Sequence, residues 1–189
     1  MTDEKNCFLR DVKTLRAQAR EHLEKGAVTE DYGLDMNRAI ELLQTVVATE
    51  LVCVLRYTMH SISVVGITSE SVGNQFRAHA QDEQKHMTMA AERIDQLGGT
   101  PNFDPDGLAS RSATEYGKGG NLVEMVKQNL VAERLVISHY RDLIGYFGDK
   151  DPTTRRMLEH IMEEEEEDHA TDMHDLLVAH EGKGVLPPR

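Results

Sequence analysis

The sequence predicts an all-α chain: a four-helix bundle with one long crossover, plus an extra N-terminal helix. Three observations predict it. Apolar residues recur at three- and four-residue intervals through segments of roughly 25–30 residues. Capping signals (Asn-x-x-Glu, Asp-Pro) and Gly-Gly breaks mark the ends of those segments. No pair of strands can be drawn, because the one β-branched stretch, ISVVGI at 62–67, is broken by Gly66 and has nothing to pair with. On this reading residues 1–34 form an extension with a short helix, 35–180 the bundle, and 181–189 a tail.

Each element follows in order. Asp11 can cap a first helix that Gly26 stops, but its apolar residues (Val12, Leu15, Ala19, Leu23) are thin, so it must lie on another surface. From Asp35 to Ile62, Met36, Ala39, Ile40, Leu43, Val46, Val47, Val54, Tyr57 and Ser61 define one face, and Leu42, Leu51, Val52 and Leu55 widen it. A second long helix runs from Ser69 to Leu97 and ends at Gly98-Gly99. The stretch 98–120 is longer than an antiparallel neighbour needs and suits a crossover along the bundle. Asn121 and Glu124 form a capping box that opens a third helix reaching Phe147. Asp151 caps the fourth, Pro152 takes its first position, and it extends to about His180.

Composition excludes several classes. Cys7 and Cys53 cannot build a disulfide scaffold or a CxxC site. The amino terminus lacks the apolar run of a secretory signal and no membrane-length apolar stretch exists, so a cytoplasmic protein without membrane contact is expected. The formal net charge of −12 argues against broad contact with nucleic-acid backbones. That excess resides in residues 35–180, where 25 acidic side chains face 13 basic ones.

The chemistry is carried by two Glu-x-x-His motifs, Glu83 to His86 and Glu166 to His169, each in the middle of a helix. At positions i and i+3 each pair shares a helical face. Glu50 stands 33 residues before Glu83, and Glu133 stands 33 before Glu166. Counted from the turns, the members of each pair are level within roughly 3 Å. Two hairpins offset by 83 residues therefore deliver four carboxylates and two imidazoles to one layer. Burying that many carboxylates demands compensation, and two divalent cations supply it. Oxygen and imidazole donors suit iron or manganese, and zinc could also bind. Most of the run Glu163–Glu167 is read as a solvated face, with Glu166 the member selected by the motif. His60, His79 and His139 have no matched partners and are assigned to the surface or the surroundings of the site. Cys53 is read as a small apolar core residue.

These residues resemble those of the ferritin-like di-iron proteins, and more narrowly bacterioferritin and the Dps-like mini-ferritins, over about residues 35–180. The resemblance implies two iron ions per subunit, Glu50 and His86 holding one, Glu133 and His169 the other, and Glu83 and Glu166 bridging. It also implies a tyrosine beside the centre, Tyr57, and a carboxylate, Asp82, that accepts from a ligand histidine. The family's haem-ligating methionine follows the first motif's glutamate, and here that position is Gln84, so haem is not expected. The implied activity is ferroxidase: Fe(II) oxidised by O2 or H2O2, with iron stored in a homo-oligomeric shell. Bacterioferritins add a fifth helix for which 181–189 offers too little chain, which favours a 12-mer over a 24-mer. The alternatives are a non-storing di-iron peroxidase or oxidase of rubrerythrin type and a DNA-protecting Dps-like protein. The nearly neutral 1–34 segment speaks against nucleic acid as a partner.

Overall fold

The computed structural model describes residues 10–21, 23–26, 28–66 and 69–180, apart from the side chains at 166 and 167. Its helices are α1 (Val12–Gln18), α2 (Met36–Ser63), α3 (Ser69–Gln96), α4 (Leu108–Arg111), α5 (Leu122–Phe147), α6 (Pro152–Glu164) and α7 (Ala170–His180). A 3₁₀ turn spans Leu23–Lys25, and a five-residue π segment, Glu165–His169, joins α6 to α7 without a break in the rod. No strand occurs among the described residues. The helical bundle expected from periodicity is therefore present, as two hairpins: α2 with α3, and α5 with α6–α7.

Most ends obey the signals in the sequence. Asp35 caps α2 by accepting from the Arg38 amide at 2.8 Å. α2 stops at Ser63, and Gly66 turns the chain at φ 124°, so the β-branched stretch is a helix end and not a strand. Gly98 takes φ 81° and lets the Gly99 amide reach back to the Ile94 carbonyl at 2.9 Å. The Asn121–Glu124 capping box forms in both directions. Pro152 opens α6 behind Asp151.

The first helix is shorter than the sequence suggests. Asp11 caps it as expected, but it closes at Ala19 instead of continuing to Lys25. No residue of α1 is buried, and Val12 and Leu23 are largely exposed. Without tertiary burial, seven residues gain too little to propagate further. The chain after it is better anchored. Tyr32 donates to Asp151 at 2.9 Å, and Arg93 reaches the same carboxylate at 3.0 and 3.1 Å.

The crossover is fastened to α2 by side chains. Gln44 donates to the Thr100 carbonyl (2.8 Å) and accepts from the Asn102 amide (2.9 Å), while the Thr49 hydroxyl accepts from the Ala113 amide (2.9 Å). α4 is a single turn inside this crossover, too short to show in the sequence periodicity.

Two apolar clusters fill the bundle. One gathers Leu43, Val46, Val47, Ile94, Val136, Leu143, Phe147, Leu158 and Ile161. The other gathers Val72, Phe76, Met125, Val126 and Met173. Between their positions along the helices lies a layer of buried charge: Glu50, Glu83, His86, Glu133, Glu165 and His169, none more than 1% exposed.

Candidate metal centre

Each long helix contributes to that layer from its middle. α2 supplies Glu50, α3 supplies Glu83 and His86, α5 supplies Glu133, and the π segment supplies Glu165 and His169. Their donor atoms form two groups, Glu50–Glu83–His86–Glu165 and Glu83–Glu133–Glu165–His169, each with its ligand atoms within 4.8 Å of one another. Glu83 and Glu165 belong to both. The layout is two overlapping donor groups that share two carboxylates and could hold metal.

The sequence assigns the second shared carboxylate to Glu166; the structure brings Glu165 to that place. The side chain of Glu166 lies outside the described residues. The place of Glu165 follows from the π segment. The Ala170 amide bonds the Glu165 carbonyl five residues back. In this wider turn residues four apart come into line, whereas residues three apart no longer do. Glu165 and His169 are four apart, so a spacing that reads as Glu-x-x-His is realised as Glu-x-x-x-His. Glu83 and Glu165 differ by 82 while His86 and His169 differ by 83, and the π turn absorbs the extra residue.

The histidines face inward through Nδ1. His86 Nδ1 lies 3.2 Å from Glu165 and 3.5 Å from Glu83, and His169 Nδ1 lies 3.4 Å from each of the same two carboxylates. None of these approaches has the geometry of a hydrogen bond, and both nitrogens lack a partner. So do Glu50 Oε2, Glu133 Oε2 and both oxygens of Glu83 and Glu165. Buried polar atoms are rarely left unmet. Eight of them gathered in two overlapping donor groups is the signature of donors arranged for cations, and the oxygen and imidazole set fits iron.

The outer nitrogens meet carboxylates. His86 Nε2 pairs with Glu164 at 2.7 Å, and Glu164 also lies 3.4 Å from His160. His169 Nε2 lies 3.8 Å from Asp82, so the carboxylate expected to accept from a ligand histidine stands on the right nitrogen, beyond hydrogen-bond reach. Glu164 is the more closely placed partner. His79 is buried, stacks on His169 with ring centroids 4.1 Å apart, and pairs with Asp172 at 3.1 Å. His60 is buried as well, against Asn129, and His139 bonds Thr45.

Two tyrosines cross the site. Tyr57, on α2, donates to Glu133 of α5 at 2.6 Å, and Tyr140, on α5, donates to Glu50 of α2 by a short bond. Sequence reasoning misses Tyr140, yet it stands 83 residues after Tyr57 and the repeat alone points to it. It misses Arg56 as well, which is fully buried beside Glu133, since an arginine in an apolar stripe reads as a boundary residue.

Protonation reflects the crowding. Burial raises Glu50 and Glu165 well above the usual carboxylate range, and the neighbouring Glu83 adds to both. Burial acts in the same direction on Glu83, but His169 and His86 outweigh it and hold this carboxyl well below its ordinary value. Burial works against charge on the imidazoles, yet the carboxylates around them push His86 up to about 10 and His169 to about 9. Protons thus share the negative charge of the metal-free site, and they must leave when cations enter.

Fold and site together define a class: a four-helix bundle carrying a buried carboxylate–histidine centre that could hold metal. A family model for the ferritin-like domain matches residues 40–181, and the chain belongs to that family. In sequence it is similar to a DNA protection during starvation protein of Pyrococcus furiosus, 26% identical over 146 residues, covering 76% of this chain and 79% of the relative. In structure it is similar to the dodecameric thioferritin, a bacterioferritin-related protein, of Bacteroides fragilis (TM-score 0.74, 29% identity, 82% of this chain and 94% of that one). It also resembles a ferritin-like diiron-carboxylate protein of Bacillus anthracis (TM-score 0.66, 24% identity, 79% and 99%), a likeness that speaks to fold alone.

Proposed function

We propose that this chain is a ferroxidase subunit that oxidises Fe(II) at its own four-helix centre and stores iron in a homo-oligomeric shell. One observation carries the reading: two four-donor groups, fully buried, share Glu83 and Glu165 within a single subunit. Fe(II) is the substrate, and two ions per subunit match the two groups. Each Fe(II) gives up one electron. Two reduce one H2O2 with two protons to two waters, and four are needed to reduce O2 completely to water.

The chain's residues have defined tasks in this scheme. Carboxylates favour the higher charge of Fe(III), so Glu50, Glu83, Glu133 and Glu165 stabilise the charge that develops on oxidation. His86 and His169 present Nδ1 once deprotonated, with Glu164 bonded behind the first and the His79 ring stacked on the second to hold ring orientation. Tyr57 and Tyr140 fix the terminal glutamates and place hydroxyl protons at the edge of the site. A dodecamer is the favoured assembly, by analogy with the dodecameric Bacteroides relative. No described helix is long and apolar enough to cross a membrane, in keeping with a cytoplasmic role.

The test is aerobic Fe(II) loading followed by sedimentation, with stopped-flow oxidation rates. The wild type should oxidise Fe(II) rapidly and retain iron well beyond two ions per chain. Glu50→Ala and Glu133→Ala should each lower the initial rate at least tenfold. Rates unchanged in both variants would defeat the proposed centre. Retention of only two ions on a small oligomer would defeat storage and favour a peroxide-reducing enzyme.

A further inference from the structure

The two halves of the centre follow the 83-residue repeat closely. Glu50 answers to Glu133, Tyr57 to Tyr140 and His86 to His169. The repeat fails at Arg56, whose counterpart is His139. Arg56 has 1% of its side chain exposed and brings Nη2 to 3.8 Å from Glu133. His139 bonds Thr45 instead, and burial lowers its proton affinity. Among the described residues no arginine or lysine pairs with Glu50, which accepts from the neutral hydroxyl of Tyr140, whereas Glu133 meets the hydroxyl of Tyr57 and a permanent cation.

Arg56 is held on every side. Nε donates to Asn129 (3.0 Å), Nη1 to the Glu115 carbonyl (3.1 Å) and Nη2 to Cys53 Sγ (3.3 Å), and the guanidinium lies 5.6 Å from the Tyr57 ring centroid. Asn129 is buried too, so the guanidinium cannot swing away when a second cation arrives. In a dry interior such a charge acts at a much lower effective dielectric than in water and is poorly screened by salt. The outer carboxylates do not cancel the difference: Glu164 serves one side, Asp82 and Asp172 the other, all are partly exposed, and Lys85 pairs with Asp82.

We propose that Arg56 makes the two cation positions unequal, so that a divalent cation fills the Glu50–His86 position first and is held more loosely at Glu133–His169. The looser position is then the one from which a cation exchanges. The proposal rests on the two-metal reading above, and its test separates the two. Metal-free full-length protein is titrated with Zn(II) by calorimetry. Wild type should take up two ions per chain in two steps differing at least tenfold in affinity. Arg56→Gln should tighten the second step at least fivefold, and Arg56→Lys should keep the steps apart. In melting experiments Arg56→Gln should lower the midpoint of the metal-free form while enlarging the rise that zinc produces, a combination a purely structural residue would not give. Should Arg56→Gln fail to fold, the ligand variants decide: Glu133→Ala should retain one tightly bound ion and Glu50→Ala one loosely bound ion. Equal steps in wild type, an unchanged or weakened second step in Arg56→Gln, or the reverse order in the ligand variants would overturn the proposal. Failure of wild type to bind zinc at all would instead overturn the two-metal reading beneath it.

Discussion

Glu165 and Glu166 are neighbours in an unbroken run of glutamates, and the π register is what carries Glu165 into the buried layer. Glu165 has no exposed surface and two unpartnered oxygens. Glu165→Ala should therefore abolish uptake of the second zinc ion in calorimetry and weaken the first at least tenfold, because both groups lose a donor. Glu166→Ala should leave both steps within threefold of wild type. Equal losses in the two variants would show that the motif spacing, and not the π turn, selects the ligand. At this scale most of the site is legible in the sequence. Glu50, Glu83, His86, Glu133 and His169 are recoverable from residue type and matched spacing, since a lone carboxylate in an apolar stripe must meet a compensating charge. Glu165 is not, because a π turn leaves no mark in residue type. Arg56 stays hidden because its partners come from α5 and the crossover, elements that sequence periodicity cannot bring together.

At the scale of the element, the π segment is one residue more than an α-helix needs. Deleting Glu167 should restore a continuous helix in which Glu165 and the histidine are three apart, as Glu83 and His86 already are. That variant should fold and bind two zinc ions, with circular dichroism unchanged; loss of zinc binding would mean that the wide turn itself shapes the site. Helix ends allow a second expectation. Asp151 is 3% exposed, caps α6 through the Thr154 amide (2.9 Å), and receives Arg93 and Tyr32. Burial acts to raise its proton affinity, but the bonds from Thr154, Tyr32 and Arg93 prevail and hold it below the ordinary value of 3.8. A carboxyl depressed on folding contributes stability above its unfolded value and loses it as pH falls through the folded one. Asp151→Asn should thus cost about 1–3 kcal/mol at pH 7, measured by urea unfolding, and the gap from wild type should narrow below about pH 4. Capping signals make the starts of α2, α5 and α6 readable to within a residue. α1 is over-extended by the same signals because propensity cannot report that none of its residues is buried.

For the whole molecule, the charge of −12 has two parts. Much of it is solvated surface, but Glu50, Glu83, Glu133 and Glu165 lie in a layer between two apolar clusters. Metal binding to the native state alone adds to folding stability, about 2.7 kcal/mol at a hundredfold excess over Kd. Zinc at that excess should raise the thermal midpoint of wild type by several degrees and should do little for a Glu83→Ala, Glu165→Ala double variant. An equal rise in both would place the stabilising metal elsewhere. The all-helical architecture and the crossover are visible in periodicity and loop length. The strap of Tyr32 over Asp151 and the clasp of Gln44 on residues 100–102 are not, because they join segments far apart in the chain.

The crossed tyrosines bear on how copies of the chain keep apart. Each hairpin completes its terminal glutamate only with a hydroxyl from the other, Tyr57 to Glu133 and Tyr140 to Glu50. Two such complementary halves could in principle be traded between neighbouring chains, as any pair of matching hairpins joined by a long connection could. The connection here is stitched to α2 at Gln44, Thr49 and Arg56, which shortens the free tether between the hairpins and so favours pairing within one chain. Fidelity of self-recognition, in a chain whose Bacteroides relative assembles as a dodecamer, is thus written into the loop that is longer than an antiparallel neighbour needs.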